Sequence, residues 1–378
     1  MLNFSVFFNF VILTIAIASH AETGVTDTEI VIGQSAAFSG PSSAKAIIAS
    51  KGADIYLKRI NDQGGVYGRK VRIIALDDGY EPQATIKNTK RLIEQEKVFA
   101  VMHYFGTPTM RAALPMLKSN GIPVMTPLGG SEITRNPFLR NVFVIRAGYS
   151  KEADLAIDFA IQRNKKKFAI IYQDDGYGTD ALSGTLKALA KYNIKPVTTA
   201  PYRRNTKDME IAVKKVNDAA PDFIYVFAIG DSGIDFVERF AKSKWASPPM
   251  VMLGSPLVSN EIAKAVDQYK LTVYATSGLP LPDPSVLVAA KSFKRDAMDP
   301  VISSDLSGFE GYIDAAVLVE ALKRAGKSLT RGTFISALES MSPFDFEGLN
   351  ISFSPTNHQG MNSAHILICK NGKFETIK

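Results

Sequence analysis

Along nearly the whole chain, short continuous apolar runs alternate with stretches whose apolar residues recur at helical spacing. The runs at 168–172, 223–229 and 250–253 are apolar almost throughout, as strands covered on both faces of a parallel sheet must be. Earlier runs at 29–33, 71–76, 98–104 and 123–126 also read as strands. Between the first two of these, Ile48, Gly52, Ile55, Tyr56 and Ile60 fall on one helical face, and Gly64-Gly65 supplies a left-handed stop. Gly106-Thr107-Pro108-Thr109 marks another helix start, with Thr107 as N-cap and Pro108 as the first helical residue. Met110, Ala113, Leu114 and Leu117 form its buried stripe. Further helices are predicted near 151–163, 179–191, 206–219 and 232–243. Strands alternating with helices predict parallel sheets covered by helices. The pattern restarts after a bridge at 142–149, so two such units are expected, consistent with a length of 378 residues. Pro280, Pro282 and Pro284 form a stiff stretch where the chain can cross back between the units.

In open α/β sheets, ligands bind outside the carboxyl ends of the strands. That rule points to the loops beginning near Ser39, Tyr104, Thr126, Asp174 and Gly230. These loops are rich in small and hydroxyl residues, among them Ser39-Gly40-Pro41-Ser42-Ser43, Gly106-Thr107 and Gly129-Gly130-Ser131. Small residues let backbone N–H groups approach a ligand, and a helix N-terminus favours a bound carboxylate. Asp77-Asp78 has the look of a metal pair, but no histidine or third carboxylate follows at ligand spacing, and a structural turn is the simpler reading.

The start of the chain departs from this pattern. Residues 1–21 contain no Asp, Glu, Lys or Arg, and an apolar stretch is followed by Ser19-His20-Ala21. This is the layout of a secretory signal peptide cleaved after Ala21, and the run is shorter than the ~20 residues a membrane-spanning helix needs. Export to the periplasm is the expectation. Cys369 is the sole cysteine, so neither an intrachain disulfide nor lipid attachment at the cleavage point is expected; its apolar surroundings suggest a small buried hydrophobe. The net charge of +7 is scattered, and the densest basic run is Lys165-Lys166-Lys167, which reads as a solvated helix end rather than a nucleic-acid patch. His103, His358 and His365 lie in no recognisable metal or triad motif, and neither a dinucleotide fingerprint nor a phosphate-binding loop follows a strand. A binding role without catalysis, metal or cofactor is expected.

Several stretches, in order, carry a resemblance: Phe38-Ser39-Gly40-Pro41, Ile60-Asn61-Asp62-Gln63-Gly64-Gly65-Val66-Tyr67-Gly68-Arg69, Leu76-Asp77-Asp78, Gly106-Thr107-Pro108-Thr109, Gly121-Ile122-Pro123-Val124, Tyr172-Gln173-Asp174-Asp175-Gly176-Tyr177-Gly178 and Gly308-Phe309-Glu310-Gly311-Tyr312. Together they resemble the type I periplasmic solute-binding proteins, specifically the Leu/Ile/Val-binding group of ATP-driven (ABC) importers. The resemblance implies an α/β fold of two hinged Rossmann-like lobes with parallel sheets, joined by three crossovers and closing on a ligand. The expected division is 22–145 with 277–345 as one lobe and 146–276 with 346–378 as the other. It further implies a membrane permease as partner, a monomer, and a small ligand that is an amino acid, an amide or a small carboxylate. A ligand sensor passing its signal to a chemoreceptor, kinase or regulator would share the same fold.

Residue by residue, the resemblance gives Thr107 and the helix it begins to the ligand carboxylate. Gly129, Gly130 and Ser131 match the next site segment, and Tyr177 matches a tyrosine that closes over the ligand. Ser39 and Tyr104, at strand ends, are further candidates. Two positions depart from the pattern. Ile229, followed by Gly230-Asp231-Ser232, stands where a tyrosine is expected, and Gly254-Ser255-Pro256 stands where a glutamate would meet an ammonium group. A buried ammonium without an acceptor is costly. If an amino acid binds, Asp231 or else Glu310 must serve.

Overall fold

The computed structural model describes residues 22–377; the leader expected at 1–21 lies outside the described residues. Five parallel strands form the first sheet: β1 (Glu29–Ala36), β2 (Lys70–Asp77), β3 (Ala100–Met102), β4 (Val124–Met125) and β5 (Val142–Phe143), in the order β2-β1-β3-β4-β5. The second sheet takes β6 (Phe168–Gln173), β7 (Thr198–Tyr202), β8 (Phe223–Phe227), β9 (Met250–Leu253) and β10 (Val273–Ser277) as parallel strands. A separate hairpin, β11 (Phe344–Phe346) with β12 (Leu349–Ile351), precedes β13 (His365–Lys370) and β14 (Lys373–Thr376), which complete the second sheet as an antiparallel edge. The spatial order is β14-β13-β10-β9-β8-β6-β7. The two-lobed α/β architecture expected from the sequence is the one observed.

The runs read as doubly covered strands are buried accordingly: every residue of β8 is buried, as are five of the six in β6. Two strands are shorter than their apolar runs. His103 and Thr126, just past β3 and β4, take positive φ values of 55° and 45°, which turns the chain out of the ladder. Helix Ser43–Asp62 buries Ile48, Gly52, Tyr56 and Ile60 as predicted, and Ile55 is half-buried at the edge of that face. It packs on helix Leu306–Ala325 so tightly that a Cβ on Gly52 would stand 1.9 Å from the Gly308 carbonyl oxygen. A Cβ on Gly311 would stand equally close to that of Ala49. The glycines of the Gly308–Tyr312 motif are therefore packing devices, and Glu310 lies within the helix rather than at its start.

The chain passes between the sheets three times. The first passage follows β5, the second follows β10 just before the three prolines, and the third precedes β13. These segments lie side by side. Ala147 N–H donates to the Gly278 carbonyl at 3.0 Å, and Met361 N–H donates to that of Ile145 at 2.8 Å. Val144 bridges Gln359 in parallel, so the hairpin and the residues up to Gly360 travel with the first sheet. A Cβ on Gly278 would lie 2.8 Å from the Ala147 carbonyl oxygen. Cys369 is buried in β13, where burial pushes its thiol up to about 12. Among the described residues, no helix is long and apolar enough to cross a membrane.

Candidate functional site

The carboxyl ends of both sheets face a common seam, and the lobes touch across it. Asp231 N–H donates to the Pro41 carbonyl at 3.0 Å. Asn205 donates to the Gly79 carbonyl and to Glu81, and its amide oxygen accepts from Ser42. Arg204 pairs with Glu81 at 2.6 Å. On another part of the seam, Asp180 accepts the Glu132 N–H at 3.0 Å. The two lobes are thus in direct contact along the seam.

Five of the sequence candidates converge at this seam. Thr107 is the first residue of helix Thr107–Ser119; Gly106, at φ 91°, occupies the N-cap position that had been expected for Thr107. Glycine is needed there both for that φ and because the Tyr80 ring lies across it, 2.1 Å from where a Cβ would stand. No side chain caps this helix. Its first-turn N–H groups have no carbonyl within the helix to bind, and Pro108 has no N–H at all. The Thr107 hydroxyl, 2% exposed as a residue, has no hydrogen-bond partner. A recess of about 10 Å³ beside it is lined by Gly106, Thr107, Leu128, Gly129 and Ser131.

Gly129 and Gly130 lie beneath Tyr149. Its phenol sits 3.4 Å from a Cβ placed on Gly129, and its N–H donates to the Gly130 carbonyl at 2.7 Å. Ser131 caps the short turn Glu132–Thr134 and bonds Asp180 across the seam. From the second lobe, Tyr177 stacks edge-on against Tyr149 with ring centroids 5.2 Å apart. Asp175 positions it by accepting the N–H groups of Tyr177 and Gly178. Tyr177 is 1% exposed, and its hydroxyl has no partner. Burial, reinforced by neighbouring Tyr149, pushes that phenol well above its ordinary value, so it stays neutral and able to donate. Tyr80, Phe105, Phe227 and Ile229 join Tyr149 and Tyr177 in one apolar cluster drawn from both lobes.

The side chains of the other candidates are engaged with other partners. Tyr104 lines the same recess as Thr107 but turns its hydroxyl into the first-lobe core, 3.0 Å from Thr89 Oγ1. A three-residue strand followed by a positive φ leaves its direction unreadable from alternation. Ser39 is exposed and bonds Asp77, which also accepts the Phe38 and Gly79 N–H groups; the Asp77-Asp78 pair is a turn. Asp231 does not present a carboxylate to the seam, because its oxygen pairs with the exposed Lys207 at 2.8 Å. Glu310 is buried but already occupied: Lys45 lies 2.6 Å from one oxygen and Arg146 3.2 Å from the other. Burial alone would raise the Glu310 carboxyl, but Lys45 and Arg146 hold it well below the usual range.

Sequence reasoning missed the network that Glu310 belongs to. Arg146, in the first crossing, also donates to Glu152 at 3.2 Å and to Ser255 Oγ at 2.6 Å. Ser255 donates on to Glu152 at 2.8 Å, and Thr276 donates to the other Glu152 oxygen at 2.7 Å. Lys45, Glu310, Arg146 and Glu152 make a buried, electrically balanced set in which each carboxylate oxygen has a donor. The available signal was Arg146 itself, a lone charge inside Val142-Phe143-Val144-Ile145-Arg146-Ala147. Tyr80 and Tyr149 were likewise missed. Among the described residues, no cluster of three or more His, Cys, Asp or Glu side chains is arranged to hold a metal ion.

The chain is similar along almost all of its length to known proteins. It is 24% identical to the Leu/Ile/Val-binding protein homolog 3 of Brucella melitensis, over 96% of this chain and 95% of that protein. It is also 24% identical to an amino acid binding protein of Pseudomonas aeruginosa, over 72% of this chain and 73% of that one. The crystal structure of a possible leucine/isoleucine/valine-binding protein from Rhodopirellula baltica superposes with a TM-score of 0.86 at 22% identity, covering 93% of this chain and 97% of the other. The family model for periplasmic binding proteins matches residues 29–373, and the chain belongs to that family.

Proposed function

We propose that this protein is the solute-binding component of an ABC importer, exported to the periplasm, which takes a small amino-acid-like or carboxylate ligand between its lobes and presents it to a membrane permease. One observation carries this reading: Thr107 and Tyr177, on elements of different lobes, bring unpartnered buried hydroxyls to a seam beside an uncapped helix start. An unpaired buried hydroxyl costs on the order of 1–3 kcal/mol, which a ligand atom between the lobes would recover. The three side-by-side crossings supply the hinge for opening. The relatives named as binders of amino acids support a ligand of that size.

Thermal-shift screening of the mature chain against amino acids, amides and small organic acids tests the proposal. A cognate ligand at a hundred times its Kd adds about 2.7 kcal/mol of stability. Thr107→Ala should abolish most of that gain while leaving the unliganded melting temperature near the parent's. Recovery of the ligand unaltered after prolonged incubation separates binding from turnover. A ligand whose stabilisation survives both Thr107→Ala and Tyr177→Phe would show that the site lies elsewhere.

A further inference from the structure

On that reading of the seam as a ligand site, we infer that the ligand is a monocarboxylate with an apolar body and no α-ammonium group. The deciding feature is the state of six carboxylates along the seam. Glu310 is held between Lys45 and Arg146. Glu152 accepts from Arg146, Ser255 and Thr276. Asp175 accepts the Tyr177 and Gly178 N–H groups on one oxygen and Gln173 Nε2, at 2.7 Å, on the other. Asp180 serves Glu132 N–H and Ser131. Glu81 is spent on Arg204 and Asn205 at the rim, and Asp231 on Lys207.

The two cations and two carboxylates of the network already balance, so a further buried positive charge would find no counter-charge there and only hydroxyl oxygens to accept its hydrogen bonds. At positions 254 and 255, Gly254 leaves space that brings the Tyr177 hydroxyl to 3.4 Å from its would-be Cβ, and Ser255 is consumed by Arg146 and Glu152.

What remains unsatisfied suits an anion. The helix at Thr107 has no cap, its first-turn N–H groups are free of helical partners, and the hydroxyls of Thr107 and neutral Tyr177 can both donate. Tyr80, Phe105, Tyr149, Phe227 and Ile229 pack with Tyr177 in one apolar cluster drawn from both lobes. Aromatic walls of this kind receive a flat or branched hydrocarbon body. The carboxylate therefore goes to the helix start and the apolar remainder to the rings.

Calorimetric titration of the mature chain with matched pairs tests this: phenylalanine against 3-phenylpropanoate, leucine against 4-methylpentanoate, and each acid against its primary amide. The expected result is that at least one amine-free acid binds ten-fold or more tighter than both its amino acid and its amide. Thr107→Ala should weaken that acid about ten-fold. An amino acid or amide that binds as tightly as the matched acid, with the same sensitivity to Thr107→Ala, overturns the ligand class and leaves the solute-binding reading standing. Failure of all these compounds, and of the wider panel of amino acids, amides and acids, to shift the melting temperature overturns both.

Discussion

At the hinge side of the seam, Lys45, Glu310, Arg146, Glu152, Ser255 and Thr276 exchange ion pairs and hydrogen bonds until every carboxylate oxygen is used. On the aromatic side, Thr107 and Tyr177 are as deeply buried, yet their hydroxyls meet no partner. Both regions place polar groups where water does not reach, and the energetic terms are the same. The difference is that the first region closes its own hydrogen bonds and the second leaves them open. Stability is expected to depend on the first and ligand affinity on the second.

The largest effect should come from opening the saturated region. Arg146→Ala leaves one buried carboxylate charge uncompensated and should cost about 3–5 kcal/mol, read as a lower urea midpoint. A pH titration sharpens the same point. The folded-state value of Glu310 is depressed from 4.5 to about 2, so its contribution is present above pH 4.5 and is lost as pH falls through about 2. The loss should be on the order of 3 kcal/mol and absent in Glu310→Gln. Nearby Asp314, raised by burial despite its bond to His103, slopes the other way, being most favourable when protonated. Glu310→Gln also relieves the repulsion that Glu310 exerts on Asp314, so the comparison is read at the acid end, below pH 4.5.

On the aromatic side the sign reverses. Tyr177→Phe removes an unpartnered hydroxyl and should leave the unliganded protein unchanged or more stable by up to about 1 kcal/mol, while weakening ligand binding several-fold. If Tyr177→Phe cost as much stability as Arg146→Ala, the contrast between the two regions would collapse. The smallest effect belongs to the rim. Arg204→Ala should change stability by less than about 1 kcal/mol, because its partner Glu81 is half exposed. Its effect should shrink further in high salt.

Much of this was legible in the sequence for a reason that individual residues show. The run at 168–172 is apolar on both faces, and only a covered parallel strand requires that, so β6 and the fold class followed directly. Thr107, Gly129, Gly130 and Ser131 follow the carboxyl ends of strands, where local pattern points, and Tyr177 came from the family resemblance. The Arg146 network could not be read this way. It joins residues 45, 146, 152, 255, 276 and 310, which only the folded crossings bring together. Asp231 misled for the same reason in reverse: its partner Lys207 is twenty-four positions away, at the start of the helix predicted near 206–219, which in the structure begins only at Glu210.

Gly278 gives the molecule an unusual point of leverage. Its missing side chain lets two crossing segments lie almost against each other, and one added methyl there would act as a wedge at the axle. Such a wedge touches no ligand group, so it would change the fraction of molecules resting shut and scale every ligand's apparent affinity by one common factor. How firmly the protein grips and what it prefers to grip are thereby set by different atoms, and one can be retuned without disturbing the other.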